Sequence, residues 1–259
     1  RTTLNGEGLQ HEDGHSHVIS GTVPNCVSYD PTYSYELAVI VQDGLRRMYG
    51  EQEDVYYYLT VMNENYPHPA MPVGCEEGVR RGIYRFQAAK KGKGPEVQLI
   101  GSGAILREVE AAVPLLAEVG VRAAVWSATS FTELRREGLE VERWNALHPD
   151  QKSRTAWVTE QLAGSKGPIV AASDYMKVHA DQIRAFLPAG RAYRVLGTDG
   201  FGRSDSRAQL RRHFEVDAAH VAYAALLSLR ESGDVSVQQL LEARERWGID
   251  PDQPSAAKA

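Results

Sequence analysis

Val97–Ala128, VQLIGSGAILREVEAAVPLLAEVGVRAAVWSA, decides the fold. The apolar run Val97–Ile100 passes through Gly101 and Gly103, after which Ile105, Val109, Ala112, Val113 and Leu116 recur at helical spacing, with Pro114 a potential kink. Val121–Ala128 reads as a second strand, and Ser130 with Glu133 forms a capping box that opens the next helix. The alternation continues downstream. Ile169–Ala172 is a third strand, followed by an Asp174 cap and by Met176, Ala180, Ile183 and Leu187 on one helical face, and Tyr193–Leu196 is a fourth. Such alternation predicts an α/β fold, an open and mostly parallel sheet with helices on both faces. Two helices close the chain, one capped by Asp217 and running toward Gly233, the other boxed by Ser236 and Gln239 and ending near Gly248. The tail from Asp250 is expected to fray.

Upstream, Asp30-Pro31 reads as a cap and first-turn pair ahead of Leu37, Ile40, Val41, Leu45 and Met48, with Gly50 ending that helix. Val55–Met62, VYYYLTVM, has the look of a strand covered on both faces. Three prolines and a glycine in Tyr66–Cys75 suit neither element, so a domain boundary is expected there: 1–66, a linker at 67–75, and 76–259.

At 259 residues and 42% hydrophobic content, the chain can fill one large α/β domain or two smaller ones. Its 29 basic and 34 acidic residues nearly balance, leaving no positive field to gather nucleic acid or anionic lipid, so neither is an expected partner. Cys26 and Cys75 are the only cysteines, too few for a disulfide framework, and they fit a reducing cytoplasm. No apolar run approaches the roughly 20 residues that span a bilayer, and no signal peptide is visible. A soluble cytoplasmic protein is expected. Because the chain opens on Arg1 and a polar, glycine-bearing stretch, a fragment of a longer polypeptide is expected as well.

Three motifs carry candidate chemistry. Residues 1–17, RTTLNGEGLQHEDGHSH, gather His11, His15 and His17 beside Glu7, Glu12 and Asp13. His15 and His17 share one face of an extended segment and His11 adds a third donor, as a metal site requires, although Gly14 implies a turn there. An acid–base centre built on Glu7 and His11 is the alternative, since histidine titrates near neutrality; a solvated loop is the third reading. In the second motif, Gly101-Ser102-Gly103, Leu106 replaces the third glycine of a dinucleotide fingerprint and no acidic residue ends the next strand, which favours a tight turn. The third, Gly197–Arg207, GTDGFGRSDSR, could bind an anion through Arg203 and Arg207 or form a shaped interface loop anchored by a buried Phe201.

The runs LNGEGLQHEDGHSH, PNCVSYDPTYSYELAVIVQDGLRRMYG, VYYYLTVMNENY, SFTELRREG and YRVLGTDGFGRSDSR, in that order, closely resemble the homodimeric-type pyruvate dehydrogenase first component, a thiamine-diphosphate-dependent decarboxylating family. The resemblance implies that 1–66 finish a middle, pyrimidine-binding domain and that 76–259 form a transketolase-type C-terminal domain. It implies pyruvate as substrate, a homodimer, and a dihydrolipoyl acetyltransferase as the acceptor of the acetyl unit. His11 would be a proton donor or orienting group, Glu7 its polar support, and His15 and His17 further site residues. Thiamine diphosphate and magnesium would be held mostly outside this chain, which would supply no cofactor-binding or metal residue and be inactive alone. The Gly197–Arg207 loop would lie away from the cofactor. Two other expectations stand beside this one, a non-catalytic dimerisation or assembly module and a histidine-ligated, metal-dependent hydrolase.

Overall fold

A computed structural model describes residues 1–258. The first unit opens with a single 3-10 turn at Leu9–His11 and a short helix α1 (Ser16–Ser20), followed by strand β1 (Cys26–Tyr29), helix α2 (Ser34–Leu45) and strand β2 (Tyr56–Leu59). β1 and β2 pair in parallel from Cys26↔Tyr56 to Tyr29↔Leu59, with α2 as the crossover that parallel pairing demands. α2 starts later than Asp30-Pro31 suggests: Tyr33 is its N-cap, and the Glu36 carboxylate reaches back to the amides of Thr32 and Tyr33. Those two bonds fix the turn and leave Asp30 free for another task. β2 is also shorter than Val55–Met62, and among the described residues only β1 pairs with it; Tyr56 is 44% exposed, so it is not a strand covered on both faces.

The second unit runs through α3 (Glu76–Arg81), β3 (Tyr84–Gln87), β4 (Glu96–Gly101), α4 (Leu106–Glu118), β5 (Arg122–Ser127), α5 (Phe131–Leu147), α6 (Trp157–Ala163) and β6 (Ile169–Ala172). It continues with α7 (Val178–Asp181), β7 (Tyr193–Leu196), α8 (Arg207–His213), α9 (Ala218–Glu231) and α10 (Val237–Arg246). The five strands lie in the order β3-β5-β4-β6-β7, parallel except for β3. Period-two alternation splits their side chains: Val97, Leu99, Val125 and Val170 join the core under α4, α9 and α10, while Ile100, Trp126, Ile169 and Ala171 join the one under α5 and α6. Both faces of the central strands are covered, which is why β5 and β6 read as largely apolar runs.

The short antiparallel β3 alternates Tyr84 and Phe86 with Arg85 and Gln87, but four residues give that period too little length to stand out in the sequence. Helix α4 runs through Pro114 without a break. Ser130 caps α5 from its side chain, Asp217 caps α9, and Ser236 with Gln239 closes a full box at α10. Asp174 caps no helix; its carboxylate is taken by residues 2 and 3, and the segment beyond it forms only α7 and a single turn at Arg184–Phe186. Nor is the tail free, since Ala256 packs on the core and meets Gly200.

Candidate functional site

The carboxyl ends of β1, β2, β4 and β6 converge, and a cleft of about 360 Å³ opens there. Open parallel sheets place their crevices at this edge. Asp30, Thr60, Met62, Ala104, Asp174 and Tyr175 form one wall, and His11, Glu12 and Asp13 belong to the other. The second wall is held to the first by backbone and carboxylate bonds. Thr2 N and Oγ1 donate to Asp174 Oδ1 at 2.9 and 2.8 Å, Thr3 Oγ1 donates to Oδ2 at 2.9 Å, and Met176 N donates to Gly14 O at 3.0 Å. The Gly197–Arg207 loop braces it from outside, with Gly6 N donating to Asp205 O, Arg207 Nε to Thr3 O, and Gly202 packed where a Cβ would strike the Glu12 stem. This loop therefore buttresses the histidine segment instead of standing apart from it, and Phe201, expected as a buried anchor, is 80% exposed.

The four expected site residues do not converge. His11 is exposed on the cleft wall, while Glu7 is exposed outside the lining, and among the described residues no hydrogen bond joins them. Exposed His15 accepts from Arg1 Nη2 at 3.0 Å. His17 turns inward, stacked on His179 with centroids 5.1 Å apart and edge-on to Tyr175 at 4.6 Å. Burial pushes its pKa down to about 4, which keeps the ring neutral at physiological pH. The segment is helical from Ser16, with His15 as its N-cap, so His15 and His17 do not share a face as they would in an extended strand, and among the described residues no three His, Cys, Asp or Glu side chains form a metal-binding group.

Two residues at the cleft were not among the four expected site residues. Asp30, read as a helix cap, is buried, and its Oδ1 and Oδ2 accept from Thr60 Oγ1 at 2.7 Å and Ser102 Oγ at 3.0 Å. Burial raises its pKa to about 7, against the pull of those two hydroxyls. Its signal was available: an aspartate directly after the apolar strand Cys26–Tyr29 sits at a strand's carboxyl end. Glu12 is buried too, with neither carboxylate oxygen partnered, and burial raises its pKa. Asp13 behaves differently. Burial pushes it up, but hydrogen bonds from the amides of His15 and Ser16 win and hold it below the usual carboxylate range.

Residues 82–217, more than half of the chain, match the model of the transketolase-like TK C-terminal domain, and the chain belongs to that family. Residues 1–69 match the pyruvate dehydrogenase E1 component middle domain. Over 253 residues the chain is 58% identical to the pyruvate dehydrogenase E1 component of Pseudomonas aeruginosa, covering 97% of this chain and 29% of that protein. It is 56% identical over 254 residues to the one from Escherichia coli K12, covering 97% and 28%. The chain thus spans under a third of the length of these curated relatives. Among solved structures, transketolase from Pichia stipitis in complex with a sedoheptulose phosphate superposes with a TM-score of 0.61 at 15% identity, covering 90% of this chain and 29% of that one. A split-gene transketolase, an inactive β4 tetramer, gives 0.57 at 14% identity, covering 86% and 63%. These likenesses establish the shared fold. The resemblance and the α/β architecture expected from the sequence are both borne out.

Proposed function

We propose that this chain supplies one wall of the active site of a thiamine-diphosphate-dependent pyruvate dehydrogenase, the subunit that decarboxylates pyruvate and passes the acetyl unit to lipoyl groups of a dihydrolipoyl acetyltransferase. The observation that carries this reading is identity above 55% across nearly the whole chain to pyruvate dehydrogenase E1 components. The division into 1–66, a linker at 67–75 and 76–259 belongs to the same proposal. So does a cytoplasmic location, which the two free, buried cysteines suit. Among the described residues, no helix is long and apolar enough to cross a membrane.

The residues of the cleft do not fit a diphosphate with its magnesium. Glu12, Asp13, Asp30 and Asp174 would repel the diphosphate, and no three of the donors gather as ligands among the described residues. That group is therefore held by residues outside this chain. What the chain offers is proton handling at an oxo-acid substrate. His11 on the cleft wall delivers or withdraws the proton, Glu7 lies on the same segment outside the lining, and His15 and neutral His17 belong to the segment that follows. Calorimetry of the isolated chain tests the assignment: no micromolar binding of thiamine diphosphate with magnesium is expected, and such binding would overturn it.

For the chain standing alone, a second reading is an assembly module that helps build a homodimer. Val73, Phe201 and Tyr49 stand far into solvent, where a second copy could cover them. A monodisperse monomer in light scattering would remove that reading.

A further inference from the structure

Asp30 is fixed at every atom it offers. Its amide donates to Thr129 O at 2.8 Å and its carbonyl accepts from Gly103 N at 3.1 Å. Gly103 has a positive φ of 48°, and a Cβ there would strike the Asp30 carboxylate, so only glycine lets the turn after β4 close on this side chain. Thr60 Oγ1 lies 2.7 Å from Asp30 Oδ1 but 3.4 Å from Tyr29 O, so its single proton goes to the carboxylate. Thr60 must then accept from His17 Nε2 at 2.9 Å, which sets the neutral imidazole as the Nε2–H tautomer. A chain of bonds runs from His17 through Thr60 to a carboxyl that lines the cleft.

We propose that Asp30 exchanges a proton with an oxygen of the oxo acid bound in this cleft, with Thr60 and His17 as its positioning residues. The inference rests on the reading of the cleft as an active-site wall and adds a residue to it. In the step itself, protonated Asp30 gives its hydrogen to an anionic oxygen of the ligand. The carboxyl O–H bond breaks, a ligand O–H bond forms, and the electron pair stays on Asp30 as a carboxylate. Thr60 and Ser102 then stabilise that carboxylate, and water entering the open cleft returns the proton. The charged and titratable groups facing Asp30 are Asp174 and Tyr175 beyond β6, Tyr66, His17 from α1, and Arg1, His11, Glu12 and Asp13 on the opposite wall. Asp174 raises the Asp30 pKa and the two hydroxyls lower it.

The test uses pH–rate profiles of pyruvate turnover by the full-length polypeptide, comparing Asp30→Asn, Thr60→Val and His11→Ala. Asp30→Asn is expected to lower kcat roughly 100-fold at unchanged KM and to remove the limb near neutral pH. Thr60→Val retains the acid but loses a donor to its charged form, so that limb moves to higher pH. Should Asp30→Asn fail to fold, the Thr60→Val profile decides, and an unshifted limb overturns the proposal. If Asp30→Asn keeps the wild-type kcat and limb while His11→Ala is slowed, the proposal falls and the active-site reading stands. If both variants match wild type, both fall.

Discussion

Glu36 and Glu12 are both buried carboxyls, and their surroundings could hardly differ more. Glu36 accepts from Thr32 N at 2.6 Å, Tyr33 N at 2.9 Å, Tyr84 Oη at 2.7 Å and Ser127 Oγ at 2.6 Å. Two donors come from the first unit and two from the second, so this carboxyl ties the units together. Glu12 faces the cleft with no partner on either oxygen. A satisfied polar node specifies a packing arrangement, whereas an unsatisfied one stores a cost that stability alone would not retain. The contrast separates what holds this molecule together from what is left ready for a ligand.

Removing the satisfied node should have the largest effect. Glu36→Ala strands four donors in the interior, and a loss of about 3–5 kcal/mol is expected from chemical denaturation. A loss under about 1 kcal/mol would dissolve the contrast. His17 comes next, read through pH. Its pKa is near 6.5 in the unfolded chain and about 4 when folded, so the unfolded state binds more protons between those values. Stability should therefore fall by roughly 3 kcal/mol as pH drops from 6.5 to 4, and the difference between wild type and His17→Gln isolates that share. The difference is necessary because Asp30 works in the opposite direction. Its raised folded value, about 7, means the folded state holds the extra proton and loses that stability as pH rises through 7. Smallest is Glu12→Met, which removes an unpartnered carboxyl and should leave stability unchanged or raise it by about 1 kcal/mol. Destabilisation comparable to Glu36→Ala would show that Glu12 is structural.

The same division governs what could be read from the sequence. The strands of the larger sheet were legible because Val97–Ile100 and Ile169–Ala172 are buried on both faces and leave no polar alternation. The caps at Asp217 and Ser236 were legible because they act locally. Asp30 and Asp174 carry the same local signature, yet long-range partners, Ser102 for one and Thr2 for the other, claimed their carboxylates before any helix could. Four histidine-segment residues were visible as a cluster, but the turn at Gly14 sends His17 into the core and leaves His11 at the cleft. Spacing alone does not fix that inversion. The role of Gly197–Arg207 was hidden for a related reason, since its contact with Glu12 joins opposite ends of the chain.

The proposed role of the wall carrying His11, proton handling for a reaction at pyruvate, can be tested in one step. The most direct measurement is acetyl transfer from pyruvate to a lipoyl group by the full-length polypeptide bearing His11→Ala. A drop of roughly 100-fold, with an unchanged melting transition, is the expected result; transfer at the wild-type rate would contradict it.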